Sequence, residues 1–479
     1  MNRHIQRFTS FVSWPMVPAK IGFFLLFAMQ GSYLPFLNVF LTSLGLSVSK
    51  AGLITGLRAV PAFLASPVWG LLTDYTGRRK TIFILLQIGT LLLIFSLPWA
   101  GRHLYVKQSL AEGNQTVSAQ VEPIAETLNV TNDLYLTSVP ETLSETCVET
   151  NTKTSSKLFY SMLALLLTSA IFDSSLIGFI NAVIVKLVRS NKAAFGKQRM
   201  FGSLGFSLAT YFGFYVAVTY QGYSKYAGIF YVFVFFNVIF FPVGLYLLKQ
   251  EKTEEDSKST PHQQRSAKLK LLVKTCSSFS NLIFFLTVLL MGIANSASYG
   301  FLIVLMESMG ASTSAIALSM AAPSVSDFLV FGFAKDMISF LRGPLPSIEI
   351  SIVSCSIRFI LISYAENAWY IGPIQMLNGI SYALFWTAAV KHTDVIASKE
   401  IHTTMFTLLN GVQFSLGILI GNVLGGFLYD MYGGRILFRI LSVSCAVWSV
   451  VFFICYAAFM KTKVHPRVQT DQVEGANTA

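Results

Sequence analysis

Apolar residues fall along this chain in long blocks rather than in the alternating or one-faced patterns of half-buried surface elements. Twelve blocks can be marked, roughly 18–42, 49–73, 80–101, 158–186, 200–220, 226–248, 278–306, 313–337, 347–367, 369–391, 402–428 and 436–460. A helix that crosses a bilayer needs about 20 mostly apolar residues, and the longer blocks suit tilted or broken helices. The pattern predicts an all-α membrane protein of twelve transmembrane helices. The first residues are polar and basic, and no small-residue cleavage site follows the first block. That block therefore reads as a retained helix rather than a signal peptide.

Composition sharpens this picture. Hydrophobic residues make up 53% and charged residues 12%, with 41 Phe, which excludes an ordinary soluble domain. With both termini placed in the cytoplasm, most of the 35 Lys and Arg residues fall on the cytoplasmic side, whereas Arg58 and Arg358 lie inside blocks. The net charge of +12 is then an excess facing anionic inner-leaflet lipid, and nucleic acid is not an expected partner.

These features divide the chain into a cytoplasmic N-terminus (1–17), a six-helix bundle (18–248), a charged cytoplasmic linker (249–275), a second bundle (278–460) and a cytoplasmic tail (461–479). Within the first bundle, 102–157 is the long outer segment. It is rich in Thr, Ser and Glu, and it carries two N-x-S/T sequons, at Asn114 and Asn129, on the side where glycans are added. Its single Cys147 cannot staple it, and Cys276, Cys355, Cys445 and Cys455, in or beside spans, read as packing residues.

The two halves repeat each other. A shift of 265 residues aligns FLNVFLTSLGLSVSKAGL (36–53) with FLIVLMESMGASTSAIAL (301–318), including an identical G-x-S-x-S turn. A little further on, Gly70-x-x-x-Asp74 meets Gly332-x-x-x-Asp336, although the second copy lacks the Gly-Arg-Arg that follows the first. Such internal symmetry is expected where two helix bundles arose by duplication.

Ionisable residues at mid-depth in a bilayer are costly, and they are usually paired or functional. Four stand out. At about 1.5 Å per residue, Arg58 lies roughly 14 Å below the outer end of its run and Asp173 near the middle of the fourth. Asp327 lies roughly 14 Å from the inner end of the eighth run, and Arg358 sits at nearly the same depth in the ninth. Charge balances within each half if Arg58 meets Asp173 and Asp327 meets Arg358. They read either as two static buried pairs or as a site where a carboxylate changes protonation or partner.

Polar stripes suggest a solute path. Asn378, Tyr382 and Trp386 share one face of the tenth run, and Asn295, Ser298 and Tyr299 lie together on the seventh, followed by Gly300, a weak point in a helix. The first run carries Gln30 and Tyr33 just before Pro35, another break. Amides and aromatics on a wall can hydrogen-bond and stack a small organic solute. The plain alternative for any one of them is interhelical hydrogen bonding. Gly417, Gly421 and Gly425 recur every fourth residue and read as close helix packing.

Between the second and third runs the chain reads GLLTDYTGRRK, from Gly70 to Lys80. A lipid-facing run has no use for Asp, Gly and two adjacent Arg unless a tight charged turn is wanted, with Asp74 offered to a helix N-terminus and Arg78 and Arg79 held at the cytoplasmic surface. This Gly70-x-x-x-Asp74-x-x-Gly77-Arg78-Arg79 spacing resembles the loop between helices 2 and 3 of the major facilitator superfamily. The stretch Phe195–Phe206 (FGKQRMFGSLGF) resembles the start of helix 5 in the branch holding phenylpropionate, nucleoside and lactose proton symporters. Leu377–Tyr382 and Gly425-Gly-x-x-x-Asp430 resemble that branch's helix 10 and helix 11 signatures. The long sequon-bearing loop looks like the animal domain-containing protein 6 and 6-like group.

The resemblance implies two pseudo-symmetric six-helix bundles, a cavity lined by helices 1, 7 and 10, and Asp74 and Arg78 as a conformational latch. It places an acid on helix 8 and an Arg on helix 9, where Asp327 and Arg358 fall. The helix 10 signature often has His where this chain has Asn378, and none of the six His is expected to be intramembrane. Proton coupling would then fall to Asp173 or Asp327.

The expected activity is proton-coupled symport of a small organic solute by alternating access, as a monomer in the plasma membrane or an endosomal or lysosomal membrane. A transporter-fold receptor that binds a partner through 102–157 is the alternative. With no nucleophile constellation, metal cluster or phosphate loop in the sequence, an enzyme, a cofactor and a metal are not expected.

Overall fold

The computed structural model describes residues 16–102, 141–190, 195–220, 225–250, 271, 274–398 and 401–464. Asn114, Asn129 and the bulk of the 249–275 linker lie outside them, as does the side chain of Asp74. Among the described residues the chain is helical and has no strand. We number the helices by span. The first bundle holds α1 (Val17–Ser43), α2 (Val48–Leu57 continuing as Ala59–Thr76), α3 (Arg79–Arg102), α4 (Glu141–Ser190), α5 (Phe195–Thr219) and α6 (Ile229–Gln250). The second holds α7 (Phe279–Ser308), α8 (Thr313–Phe340), α9 (Pro344–Tyr364), α10 (Ile371–Gln375, Gly379–Leu384 and Phe385–Ile396), α11 (His402–Asn410, Gly411–Leu416 and Gly417–Tyr432) and α12 (Gly434–Val464).

Eleven of these are long and apolar enough to cross a membrane. The twelfth expected span is α10, which a turn at 376–377 divides and which carries a π-helix over 379–384. The fourth helix also differs from expectation. It begins at Glu141, well inside the segment read as a loop, because 141–157 holds neither Pro nor Gly and the helix runs on past its apolar stretch.

The repeated G-x-S-x-S turn has a repeated geometry. Gly45 and Gly310 both take positive φ, at 87° and 69°, to end one helix. Two residues later Ser47 and Ser312 each accept a hydrogen bond from the backbone N–H three residues on, from Lys50 and Ala315, and so start the next. Gly77 closes α2 in the same left-handed region, at φ 63°.

Lipid is as apolar as the helix surfaces, so close backbone approach and buried polar bonds hold such bundles together. A Cβ at Gly205 would stand 2.0 Å from the Phe24 carbonyl oxygen, so α5 and α1 touch backbone to backbone. Gln87 of α3 donates to the Asn237 backbone and side-chain oxygens of α6, both at 3.0 Å. Gly417 and Gly421 press on Gly292 and Ile293 of α7. Gly300 is no weak point, since α7 continues unbroken to Ser308; its missing side chain admits Asn38 of α1 instead. The break at Pro35 does appear, as a short 3-10 turn over Leu34–Phe36.

Candidate functional site

Each half carries one buried charge cluster. In the first, Pro61 leaves the Leu57 carbonyl without its helical donor, and α2 is interrupted at Arg58. The Arg58 guanidinium donates to the Asp173 carboxylate of α4 and, at 2.8 Å, to the Tyr33 hydroxyl. Tyr33 in turn donates to the same carboxylate at 2.7 Å. Its ring lies under Arg58, 5.7 Å from the guanidinium carbon, and meets Phe233 edge-on at 5.3 Å. The expected Arg58–Asp173 pair therefore forms, with Tyr33 as a third member.

The second cluster departs from expectation. Asp327 and Arg358 make no direct ion pair; Asn378 stands between them. Its amide nitrogen is 3.0 and 3.1 Å from the two Asp327 oxygens, and its amide oxygen accepts from Arg358. Arg358 also donates to Asn295 at 3.0 Å, and the Asn378 nitrogen lies 3.0 Å from the Tyr299 hydroxyl. Arg358 is 1% exposed, Asp327 6% and Asn378 0%. An isolated charge at such burial would be strongly unfavourable, so the amide joins two charges the helices hold too far apart to touch.

Local sequence explains the placement. The π-helix opening at Gly379 leaves that residue's N–H free to donate to Ser326 Oγ of α8, at 3.0 Å. A Cβ at Gly379 would be 2.7 Å from the Ser326 carbonyl oxygen, so only glycine lets α10 come close enough to set Asn378 against Asp327. Tyr382, one turn further on, and Trp386, which meets Phe414 of α11 at 5.0 Å, continue the same face. His392, just past the tenth apolar block, is buried against the Phe284 ring at 4.7 Å and belongs to neither cluster. Ser298 is buried and Gln30 half-buried; neither enters a charge cluster.

One residue was missed by the sequence reading. Arg199 of α5 lies 3.7 Å from the Phe27 ring centre, and its charge acts across the half boundary on Asp327 and Tyr382. In sequence it looks like an inner-surface anchor at the start of a run. The signal available was the helix 5 resemblance in which it stands.

The halves meet toward the face that carries the 102–157 loop. Asn38 donates to the Gly300 carbonyl at 2.9 Å and accepts from Thr55 at 2.8 Å, while Ser296 donates to Asn422 at 3.0 Å. At the end of α11, the Asp430 carboxylate accepts the first backbone N–H groups of α2, from Val48 at 3.2 Å and Ser49 at 2.7 Å, together with the Ser49 hydroxyl. Tyr226 donates to Glu307 nearby. On the opposite face Arg78 is exposed beyond Gly77.

Two helical bundles joined at a buried polar seam, each with a mid-depth charge cluster, define a multi-pass membrane protein of transporter architecture. The profile of the MFS_1 like family matches residues 17–440, and the chain belongs to that family. It is 24% identical over 432 residues to the uncharacterized transporter YwbF of Bacillus subtilis, covering 88% of this chain and 90% of that one. It is 26% identical over 163 residues to the major facilitator superfamily domain-containing protein 6-like of Danio rerio. That match covers 34% of this chain and only 30% of the zebrafish protein. The fold is similar to that of the nucleoside transporter NupG, with a TM-score of 0.63 and 16% identity, covering 93% of this chain and 99% of that one.

Proposed function

We propose that this protein moves a small organic solute across a membrane by alternating access, coupled to protons through Asp327. The observation that carries the reading is the Asp327–Asn378–Arg358 relay. A permanently closed structural pair needs no amide between its charges, whereas a relay can be rearranged by one proton. Protonated, Asp327 would become a donor and release the Asn378 amide, which also touches Tyr299 on the polar stripe. The groups around it are Arg358, Arg199, Tyr299 and Tyr382, so its protonation alters the field at all four. The path residues are Gln30, Tyr33, Asn295, Ser298, Tyr299, Asn378, Tyr382 and Trp386, with Arg199 added.

In this reading the described conformation is closed on the loop face, and the bonds of Asp430 and Asn38 break when that face opens. Asp74, Arg78 and Arg79 serve the opposite face. Both termini are cytoplasmic, as the distribution of Lys and Arg supports, and the protein acts as a monomer. The receptor alternative rests on 102–157, most of which lies outside the described residues, and no observation favours it.

The test is uptake into proteoliposomes from a panel of nucleosides, sugars and aromatic acids, with and without a pH gradient. Asp327→Asn combined with Arg358→Gln should reach the membrane and exchange solute yet fail to accumulate it. Full pH-driven accumulation by that variant would remove Asp327 as the coupling group.

A further inference from the structure

We infer, on the transport reading above in which the loop face is a gate, that closure of this gate is set at Gly300, where the lack of a side chain seats amide groups from both halves in one buried knot. Asn38 of α1 donates to the Gly300 carbonyl at 2.9 Å, and Thr55 of α2 donates to the Asn38 amide oxygen at 2.8 Å. From the other half, Ser296 of α7 donates to the Asn422 side chain of α11 at 3.0 Å. Asn38 is 3% exposed and Asn422 8%. A Cβ at Gly300 would stand 2.7 Å from the Asn38 amide nitrogen and 2.9 Å from the Asn422 amide oxygen. The same small volume therefore receives one side chain from each half.

Gly300 differs from the glycines that hold each bundle together. At Gly31, Gly205 and Gly292 a Cβ would strike the backbone of a neighbouring helix in the same half, so those residues set how near two helices lie. At Gly300 the three nearest atoms all belong to the two amide side chains. Helix packing does not call for a glycine here, and inside an unbroken helix glycine is less favourable than alanine. What it permits is the Asn38 bond, which crosses the seam. Gly52 of α2 meets the same place from the first half, since its Cβ would lie 2.4 Å from the Asn422 backbone oxygen. The 265-residue shift carries Gly300 onto Pro35, inside the 3-10 turn of α1. The position that breaks the helix in one half is thus the position that, in the other, receives the side chain three residues beyond that break.

The knot lies deeper than the Asp430 contacts. Gly300 precedes Ser308, the loop-face end of α7, by about 12 Å of helix. Asp430 holds the rim, and the amides close the layer beneath it, one residue from Tyr299, whose hydroxyl meets Asn378 of the relay. A methyl group at residue 300 would push the tips of Asn38 and Asn422 aside and cost the bond between the halves. Losing one neutral hydrogen bond shifts a balance of closed and open conformations by about threefold to tenfold.

The test reads the separation of the halves directly. Spin labels are placed by Lys50→Cys and Ser314→Cys, exposed at the loop-face starts of α2 and α8, with Cys147, Cys276 and Cys455 replaced by Ser. Distances are measured by double electron–electron resonance in nanodiscs. The labelled parent should lie mostly at the short separation. Gly300→Ala should raise the ratio of long to short separations at least about threefold. Asn38→Ala should do the same without any added methyl, and it strands no donor, since Thr55 Oγ1 also bonds the Ala51 carbonyl at 3.0 Å. The double variant should be no more open than the more open single variant, because both changes remove one bond. A glycine without this role would behave oppositely, with alanine raising thermal stability and leaving the distances unchanged. That result, unchanged distances in Asn38→Ala alone, or effects of the two changes that simply multiply would overturn the proposal. A parent already at the long separation would overturn it together with the reading of this face as closed. The expected distances without uptake of any panel solute by the parent would count against transport and leave the gate standing.

Discussion

Replacing Asp327 by Asn tests whether the second cluster is held by charge balance. The change keeps the size of the side chain and removes one negative charge from a site where Arg358 is 1% exposed. Arg358 keeps its bonds to Asn378 and Asn295. What is lost is the counter-charge. Breaking a buried pair from one side costs about 3–5 kcal/mol. The two retained neutral acceptors, the bridging amide of Asn378 among them, reduce this, and side chains in unfolded states within membranes also find partners. A loss of about 2–3 kcal/mol is therefore expected.

The double change Asp327→Asn, Arg358→Gln leaves no stranded charge and should recover most of that loss. Cys355 and Cys445 are fully buried and can report unfolding, since a thiol-reactive dye reaches them only when the C-terminal bundle opens. The readout is the temperature at which the purified protein becomes labelled, with surface expression measured alongside. The single variant should label several degrees below the parent and the double variant close to it. Double-variant stability no better than the single's would refute charge balance, and the cluster would then be held by hydrogen-bond geometry alone.

Asp430→Ala removes the acceptor of three bonds from α2 at the exposed loop face. It should weaken closure there by about 1–2 kcal/mol, so labelling of a Thr55→Cys thiol from that face should rise several-fold; an unchanged rate would count against Asp430 as a latch. Asp74→Ala should reduce uptake with normal expression, because it shifts the balance of conformations without touching the path, and normal uptake would dismiss that role. The Asn114→Gln, Asn129→Gln variant from animal cells should run faster and more sharply on a gel than the parent. Identical migration would show that 102–157 carries no glycans at these sites.

The sequence alone determined the number, order and depth of the helices, since membrane thickness converts apolar length directly into spanning segments. It also determined the duplication, down to a glycine and serine turn that proves to be the same cap geometry twice. The positions of Arg58, Asp173, Asp327 and Arg358 along their helices followed too, because position along a helix is read directly from the sequence. What the tertiary structure decided is azimuth, the direction each side chain faces around its helix axis and which neighbour it meets. A run apolar on nearly all sides carries little of that information. Hence Tyr33, read as part of the path, joins Arg58 and Asp173, and Asn378 stands between Asp327 and Arg358 as the bond connecting them. Arg199, which sequence places at a membrane edge, sets its guanidinium on Phe27 of a helix whose backbone touches its own. Nothing in a one-dimensional pattern records that contact, which exists because Gly31, Gly202 and Gly205 let α1 and α5 approach.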